Sequence, residues 1–233
     1  MSVAALEPVW DELSLRPPRC ASLTLESVAR YYGRVRALGA FTATFAQGDV
    51  VAVLGPNGAG KSTLLRMLAT LERPSEGRIT LREHDGAVLD AVVDRDRIRG
   101  DIGLVSHDTL VYGDLSGREN LRFVGALYGV DPPVCDRWLA RLGLDHTGDK
   151  PVREYSRGMR QRLSIARAMV HHPTVVLFDE PMTGLDRAGQ AFLWSMLRWL
   201  RRERRICIVV THRFEAPADV FTRSVVLDNG RTR

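Results

Sequence analysis

Lysine is almost missing from this chain. Of its 233 residues 33 are basic, and all of these but Lys61 and Lys150 are arginine. The three cysteines (Cys20, Cys135, Cys207) are odd in number, far apart and never at a C-x-x-C spacing. That excludes a disulfide framework or zinc-finger pattern and predicts reduced, structural thiols. Long apolar runs are lacking too. None approaches the roughly 18–20 residues needed to cross a bilayer, and the longest, such as "TVVLF", have strand length. The N-terminal stretch "MSVAALEPVWDELSLRPPRC" carries acids where a secretion signal carries bases, and it has no continuous apolar centre. A cytosolic chain is expected. The net charge of +5 is mild and selects no ligand class by itself. Its densest cluster, "RWLRRERR" (Arg198 to Arg205), reads as the solvated end of a helix with cations near its C-terminus.

What is present is ordinary in bulk, with 45% hydrophobic and 26% charged residues, as in a soluble domain with a sizeable core. Residues 1–22 read as a disordered or arm-like tail, with Pro17-Pro18 near its end. Strand-like runs follow ("SLTLESV", "AFTATFA", "DVVAVLG"), then a helix from about Lys61 to Leu71 and a short strand "GRITL". Residues 82–99 show no clear period, and "IGLVS" returns to a buried strand. From Ser116 to about Ala168 the pattern turns helical. Ser116 and Glu119 form an S-x-x-E capping box, while Asp131-Pro132 open a second helix that Gly143 stops. Further apolar strands, "TVVLFDEP", "RICIVVTH" and "SVVLDNG", flank the amphipathic helix "RAGQAFLWSMLRWLRRE". Strands alternating with helices predict an α/β fold with a covered parallel sheet. The helical block of about 108–168 would be an inserted subdomain.

One of the two lysines lies in "GPNGAGKST", running Gly55, Pro56, Asn57, Gly58, Ala59, Gly60, Lys61, Ser62, Thr63. It matches G-x-x-x-x-G-K-[ST] between a strand and a helix, the context that a phosphate loop requires. Glycines let successive backbone N–H groups point inward, and the helix N-terminus adds positive potential. Lys61 would reach the β- and γ-phosphates of a nucleotide and the Ser62 hydroxyl would ligate Mg²⁺. A slim point charge suits this role better than a planar guanidinium. Downstream, "TVVLFDEP" delivers Asp179 and Glu180 to the carboxyl end of a buried strand, where open α/β sheets bind ligands. Asp179 could hold Mg²⁺ through water, and Glu180 could take a proton from an attacking water. Together the two motifs predict a P-loop nucleotide triphosphatase.

Between them, "YSRGMRQRLSIARAMVHHP" (Tyr155 to Pro173) resembles the signature of the ATP-binding cassette (ABC) ATPases, LSGGQ followed by a basic helix. Ser156 and Gly158 match its first Ser and second Gly, whereas Arg157 and Met159 stand at its first Gly and its Gln. The resemblance implies a RecA-like core with an antiparallel β part and the inserted helical subdomain, covering 23–233. It implies that residues 156–159 close on ATP held by a second copy or a paired ATPase. It also implies that "MTGLD" is the D-loop ending in Asp186, with Thr183-Gly184 in place of its usual Ser-Ala. In the same family order "VVTH" puts His212 at the switch histidine, which helps orient the attacking water. "VARYYG" puts Tyr32, or failing it Tyr31, under adenine. Registering on "LSGRENL" places His107 where the family carries its Q-loop glutamine. Imidazole is a poor Mg²⁺ ligand, so Asp108 through water or a His107 contact to the phosphate or water are the alternatives.

ATP and Mg²⁺ are thus the implied cofactors. Separate transmembrane subunits are the implied partners, with the chain peripheral on the cytoplasmic membrane face and its docking surface at about 107–127. No nucleic acid is expected. The pair at 107–108 and "VYGDLSGRENLRFVGALYGV" are similar to the ATPase subunit of the haem exporter for cytochrome c maturation. A drug, lipid or ion exporter ATPase shares every motif. A soluble ABC ATPase acting on DNA, ribosomes or iron–sulfur assembly is the remote alternative.

Overall fold

The computed structural model describes residues 15–106, 108–212, 216–228 and 230–232. Two sheets organise it. The first is antiparallel, built from β1 (Cys20–Tyr32), β2 (Val35–Ala46), β4 (Glu76–Glu83) and β5 (Val88–Asp90) in the order β2-β1-β4-β5. The second comprises β3 (Val50–Leu54), β6 (Ile102–Val105), β7 (Val175–Asp179), β8 (Ile206–Thr211), β9 (Arg223–Asp228) and β10 (Arg231–Thr232). Its order is β10-β9-β3-β8-β7-β6, parallel from β9 to β6. Helices α1 (Lys61–Leu68), α2 (Arg95–Arg99) and α6 (Arg187–Arg202) belong to this core. Between β6 and β7 the chain inserts α3 (Gly117–Leu127), α4 (Pro132–Arg141) and α5 (Arg157–Met169). The expected α/β class is the one observed.

Alternation along the parallel strands sorts their side chains onto two faces. Val50, Val176, Phe178, Cys207 and Val209 pack with α3–α6, including the edge-to-face pair Trp138 and Trp199. Val51, Val53, Leu177, Ile208 and Val210 pack with α1 and the antiparallel sheet. Burial on both faces explains why these strands read as continuous apolar runs.

The inserted helices start as their sequences dictate. Ser116 Oγ accepts from the Glu119 N–H at 3.1 Å, and the Glu119 carboxylate accepts from the Ser116 N–H at 2.8 Å, a complete capping box. Asp131 stands at the N-cap of α4 without a side-chain capping bond, leaving Pro132 in the first turn to set the entry.

The structure departs from the sequence reading in two places. Of the expected tail, residues 1–14 lie outside the described residues, but the stretch from 15 onward is packed. Leu15 is buried, the Arg16 N–H donates to His172 Nδ1 at 3.1 Å, and the Arg19 N–H to Thr174 Oγ1 at 2.9 Å. The fully buried Arg205 guanidinium bonds the Arg16 carbonyl and, at 3.1 Å, that of Pro173. Within the aperiodic stretch 82–99 lie the end of β4, then β5 and α2. These elements are too short to show a period and are held by polar contacts, Arg78 to Asp90 at 2.6 Å and the Asp90 N–H to Asp94 at 2.8 Å.

His171 follows α5, stacks on Tyr128 with centroids 4.0 Å apart, and bonds the Ile102 carbonyl through Nε2 at 3.1 Å. Burial pushes its pKa down from 6.5 to about 4. The unfolded chain therefore binds this proton more readily, so stability is expected to fall as pH drops from 6.5 towards 4. The full shift amounts to ~3 kcal/mol. Urea unfolding at several pH values tests this; His171→Gln is expected to reduce the dependence, and the remainder belongs to His172, whose pKa burial also pushes down to about 4.

Candidate nucleotide site

The loop 55–63 leaves β3 at the centre of the parallel sheet and enters α1. Its shape depends on glycine. Gly60, the N-cap of α1, has φ +96°, and a Cβ there would sit 2.3 Å from the Ala37 carbonyl oxygen; one at Gly55 would sit 2.2 Å from that of Leu227. The start of α1 has no side-chain cap and no acid in its first turn, so no carboxylate competes for its N–H groups.

Lys61 is buried, 6% exposed, and its Nζ donates to the carbonyls of Gly55 at 2.8 Å and Pro56 at 2.9 Å. Among the described residues it has no carboxylate partner. Two neutral carbonyls leave a buried ammonium uncompensated, which fits a site for an anion. Pro56, Asn57, Gly58 and Ser62 are exposed on the loop, Thr63 is half-buried and Ala59 is buried.

Sheet register sets what lies beside this loop. Leu54 pairs with Thr211, and Val210 pairs with Asp179, so the ends of β3, β8 and β7 share one edge of the sheet. Just past Asp179, Glu180 sits at φ +49°, a left-handed conformation disfavoured for a side chain with a Cβ. Its N–H donates to the Val210 carbonyl at 2.9 Å. The carboxylate is held at both oxygens. Oε2 accepts from Thr211 Oγ1 at 3.1 Å, and Oε1 lies 2.9 Å from His212 Nδ1. Thr211, absent from the sequence-predicted set, is nearly buried at the end of β8; a hydroxyl next to the expected histidine was the only signal for it.

A cavity of ≈ 280 Å³ opens between the ends of β6 and β7 and the start of α5, where Asp108, Asp179, Glu180, Arg157 and Arg160 line it. His107 lies outside the described residues. Hydroxyl and carboxylate oxygens at Ser62 and Asp179 are the hard donors that suit Mg²⁺. No cluster of three or more His, Cys, Asp or Glu occurs among the described residues.

Ser156 caps α5, its Oγ accepting from the Met159 N–H at 3.2 Å, and Gly158 faces open space. These two line a second cavity of ≈ 360 Å³ together with Met159 and Asp186. Asp186 also caps α6 through the Gly189 N–H at 2.8 Å. Neither cavity takes a lining residue from 55–63. Tyr32, at the exposed end of β1, bonds Glu72 through its hydroxyl and carries the Arg30 guanidinium 4.8 Å from its ring centroid. Tyr31 is half-buried, and its N–H donates to Ser75 Oγ at 3.2 Å.

Comparison with known proteins places this geometry in context. A family profile described as ABC transporter matches residues 38–183. The daunorubicin resistance ATP-binding protein DrrA3 of Streptomyces coeruleorubidus is 37% identical over 214 residues, 90% of this chain and 66% of that protein. The ABC transporter ATP-binding protein NatA of Bacillus subtilis is 34% identical over 201 residues, 84% of this chain and 80% of that protein. A dimeric bacterial ABC transporter cassette superposes with a TM-score of 0.78 at 25% identity, covering 90% of this chain and 96% of that one. The chain thus spans about two thirds of the daunorubicin-resistance relative.

Gly60→Ala is expected to lower stability by about 2 kcal/mol or more, from strain at positive φ and the clash with Ala37. Thermal unfolding measures it; an unchanged midpoint would mean that the loop does not need this conformation.

Proposed function

We propose that this chain, which belongs to the ABC transporter family on the profile match over residues 38–183, hydrolyses ATP to drive export through separate membrane subunits.

 The observation that carries the proposal is the meeting of the loop 55–63, Glu180 and His212 at the carboxyl ends of three neighbouring parallel strands. The match to the family profile runs over residues 38–183, more than half of the chain, and it includes the loop, Glu180 and the 156–159 segment.

In this reading the ATP phosphates lie in the loop, against the N–H groups opening α1 and against Lys61, which exchanges its carbonyl partners for phosphate oxygens. Ser62, and Asp179 through water, would hold Mg²⁺, which would neutralise phosphate charge. Asp108 is a further candidate ligand, and His107 keeps the role proposed for it at the joint with the helical insertion. Glu180 takes the proton of the attacking water, while His212 and Thr211 hold its carboxylate in place. Tyr32 offers adenine the ring face that Arg30 leaves open. Ser156 and the Gly158 N–H, with Arg157 and Met159 beside them, reach the ATP of a second copy. The dimer formed by the structural relative supports that arrangement. ATP then favours the closed pair and hydrolysis releases it.

No described helix is long and apolar enough to cross a membrane; in this reading membrane-spanning partners carry the cargo and the chain sits on their cytoplasmic face. Leu110, Tyr112, Phe123, Leu127 and Tyr128 are large apolar side chains exposed between 110 and 128. This is the surface assigned to the membrane subunits. For cargo, the name of the daunorubicin-resistance relative favours a drug exporter over the haem exporter of cytochrome c maturation. The haem reading rests on residues 106–108 and the stretch that follows them.

Glu180→Gln is expected to bind MgATP and to slow hydrolysis by about 100-fold or more, accumulating a dimer on a sizing column. Near-normal turnover would remove Glu180 from the base role. Lys61→Ala is expected to lose MgATP binding, and normal affinity would contradict the phosphate loop. Purifying the Glu180→Gln protein with MgATP in mild detergent should recover multi-span membrane chains. Recovery of soluble proteins or nucleic acid alone would sink the transport assignment.

A further inference from the structure

Arg157 and Gly184 both depart from the family pattern, which has Gly at the first position and Ala at the second, and in the structure the two departures touch. Arg157 Nη2 donates to the Thr183 carbonyl at 2.8 Å, and its guanidinium lies across Gly184. A Cβ at Gly184 would sit 2.2–2.3 Å from three guanidinium atoms. The space that glycine leaves is therefore occupied by the arginine. Thr183 in turn donates its N–H to the Glu180 carbonyl at 3.1 Å, so a continuous path runs from Arg157 through one turn of chain to Glu180. Arg157 and Glu180 also line the same cavity. Glu180 is the residue held at φ +49°, a conformation that persists only where its surroundings enforce it.

We infer that Arg157 is a positioning residue for Glu180, a clip that fixes the 180–184 turn and ties it to the segment 156–158. The inference rests on the ATPase reading and deepens it. A phosphate engaged by Ser156 and Gly158 then bears, through the adjacent Arg157, on the turn that presents the carboxylate of the same chain. Engagement of one nucleotide would thereby adjust the base serving the other. A planar fork suits the task, since it can bond the Thr183 carbonyl while lying flat on Gly184.

The test uses the full chain in five forms: wild type, Arg157→Gly, Arg157→Lys, Gly184→Ala and the double variant Arg157→Gly/Gly184→Ala. At saturating ATP the kcat of Arg157→Gly should fall about 10-fold and the Hill coefficient should drop towards 1. Arg157→Lys, which can still reach the carbonyl, should recover part of the lost kcat. Gly184→Ala should lower Tm, and adding Arg157→Gly should restore part of that loss by removing the clash; strain at φ +72° remains. A wild-type kcat and Hill coefficient in Arg157→Gly would overturn the positioning role. Tm losses that simply add in the double variant would overturn the contact. If the wild-type chain binds ATP without turning it over, the parent reading fails, and the Tm cycle, which needs no nucleotide, decides the clip alone.

Discussion

The in-register pairing of β3, β8 and β7 is the constraint on which the rest depends. Parallel strands present their carboxyl ends on one edge, and neighbours lie about 4.8 Å apart. Leu54, Thr211 and Asp179 therefore bring the phosphate loop, the Thr211–His212 pair and the acidic pair to one place. A slip of one residue in β7 would turn Asp179 and the residues around it to the opposite faces. Burial of these strands on both sides forbids that slip, because each face already has its own apolar neighbours. The apolar core thus sets the geometry of the polar edge.

At that edge unfavourable features are concentrated. A lysine is buried with carbonyls for company, and a glutamate is held in a left-handed backbone conformation. Each is destabilising alone, and each is supported by neighbours: the glycine loop for Lys61, and Thr211, His212 and the Val210 carbonyl for Glu180. Preorganisation of this kind suits catalysis, since charges placed before the substrate arrives need not be reorganised during reaction. The Arg157–Gly184 contact extends the same support to the far side of the turn.

Much of the fold was legible because its signals are local. The glycines of the loop are demanded by sterics within a few residues, the buried strands are continuous apolar runs, and the capping box at Ser116 lies within four residues. What escaped the sequence depends on distant partners. Residues 15–19 look like a tail until Arg205 and Thr174 are seen to hold them. β1 carries register shifts between Leu25 and Val28 and again beyond, which interrupt its alternation and hide its full length. β5 and α2 are too short for a period. Of the site, Lys61, Asp179 and Glu180 stand out by residue type and position. Thr211 and the filling of Gly184 by Arg157 require the tertiary structure.

Calorimetric titration of the wild-type chain with ATP, ADP and adenosine tests the central claim most directly. If binding is anchored by phosphates in the loop beside Lys61, affinity falls steeply from the two nucleotides to adenosine and weakens with added salt. Equal affinity for adenosine and ATP would contradict the account, because recognition would then lie in the base and not at the edge shared by β3, β8 and β7.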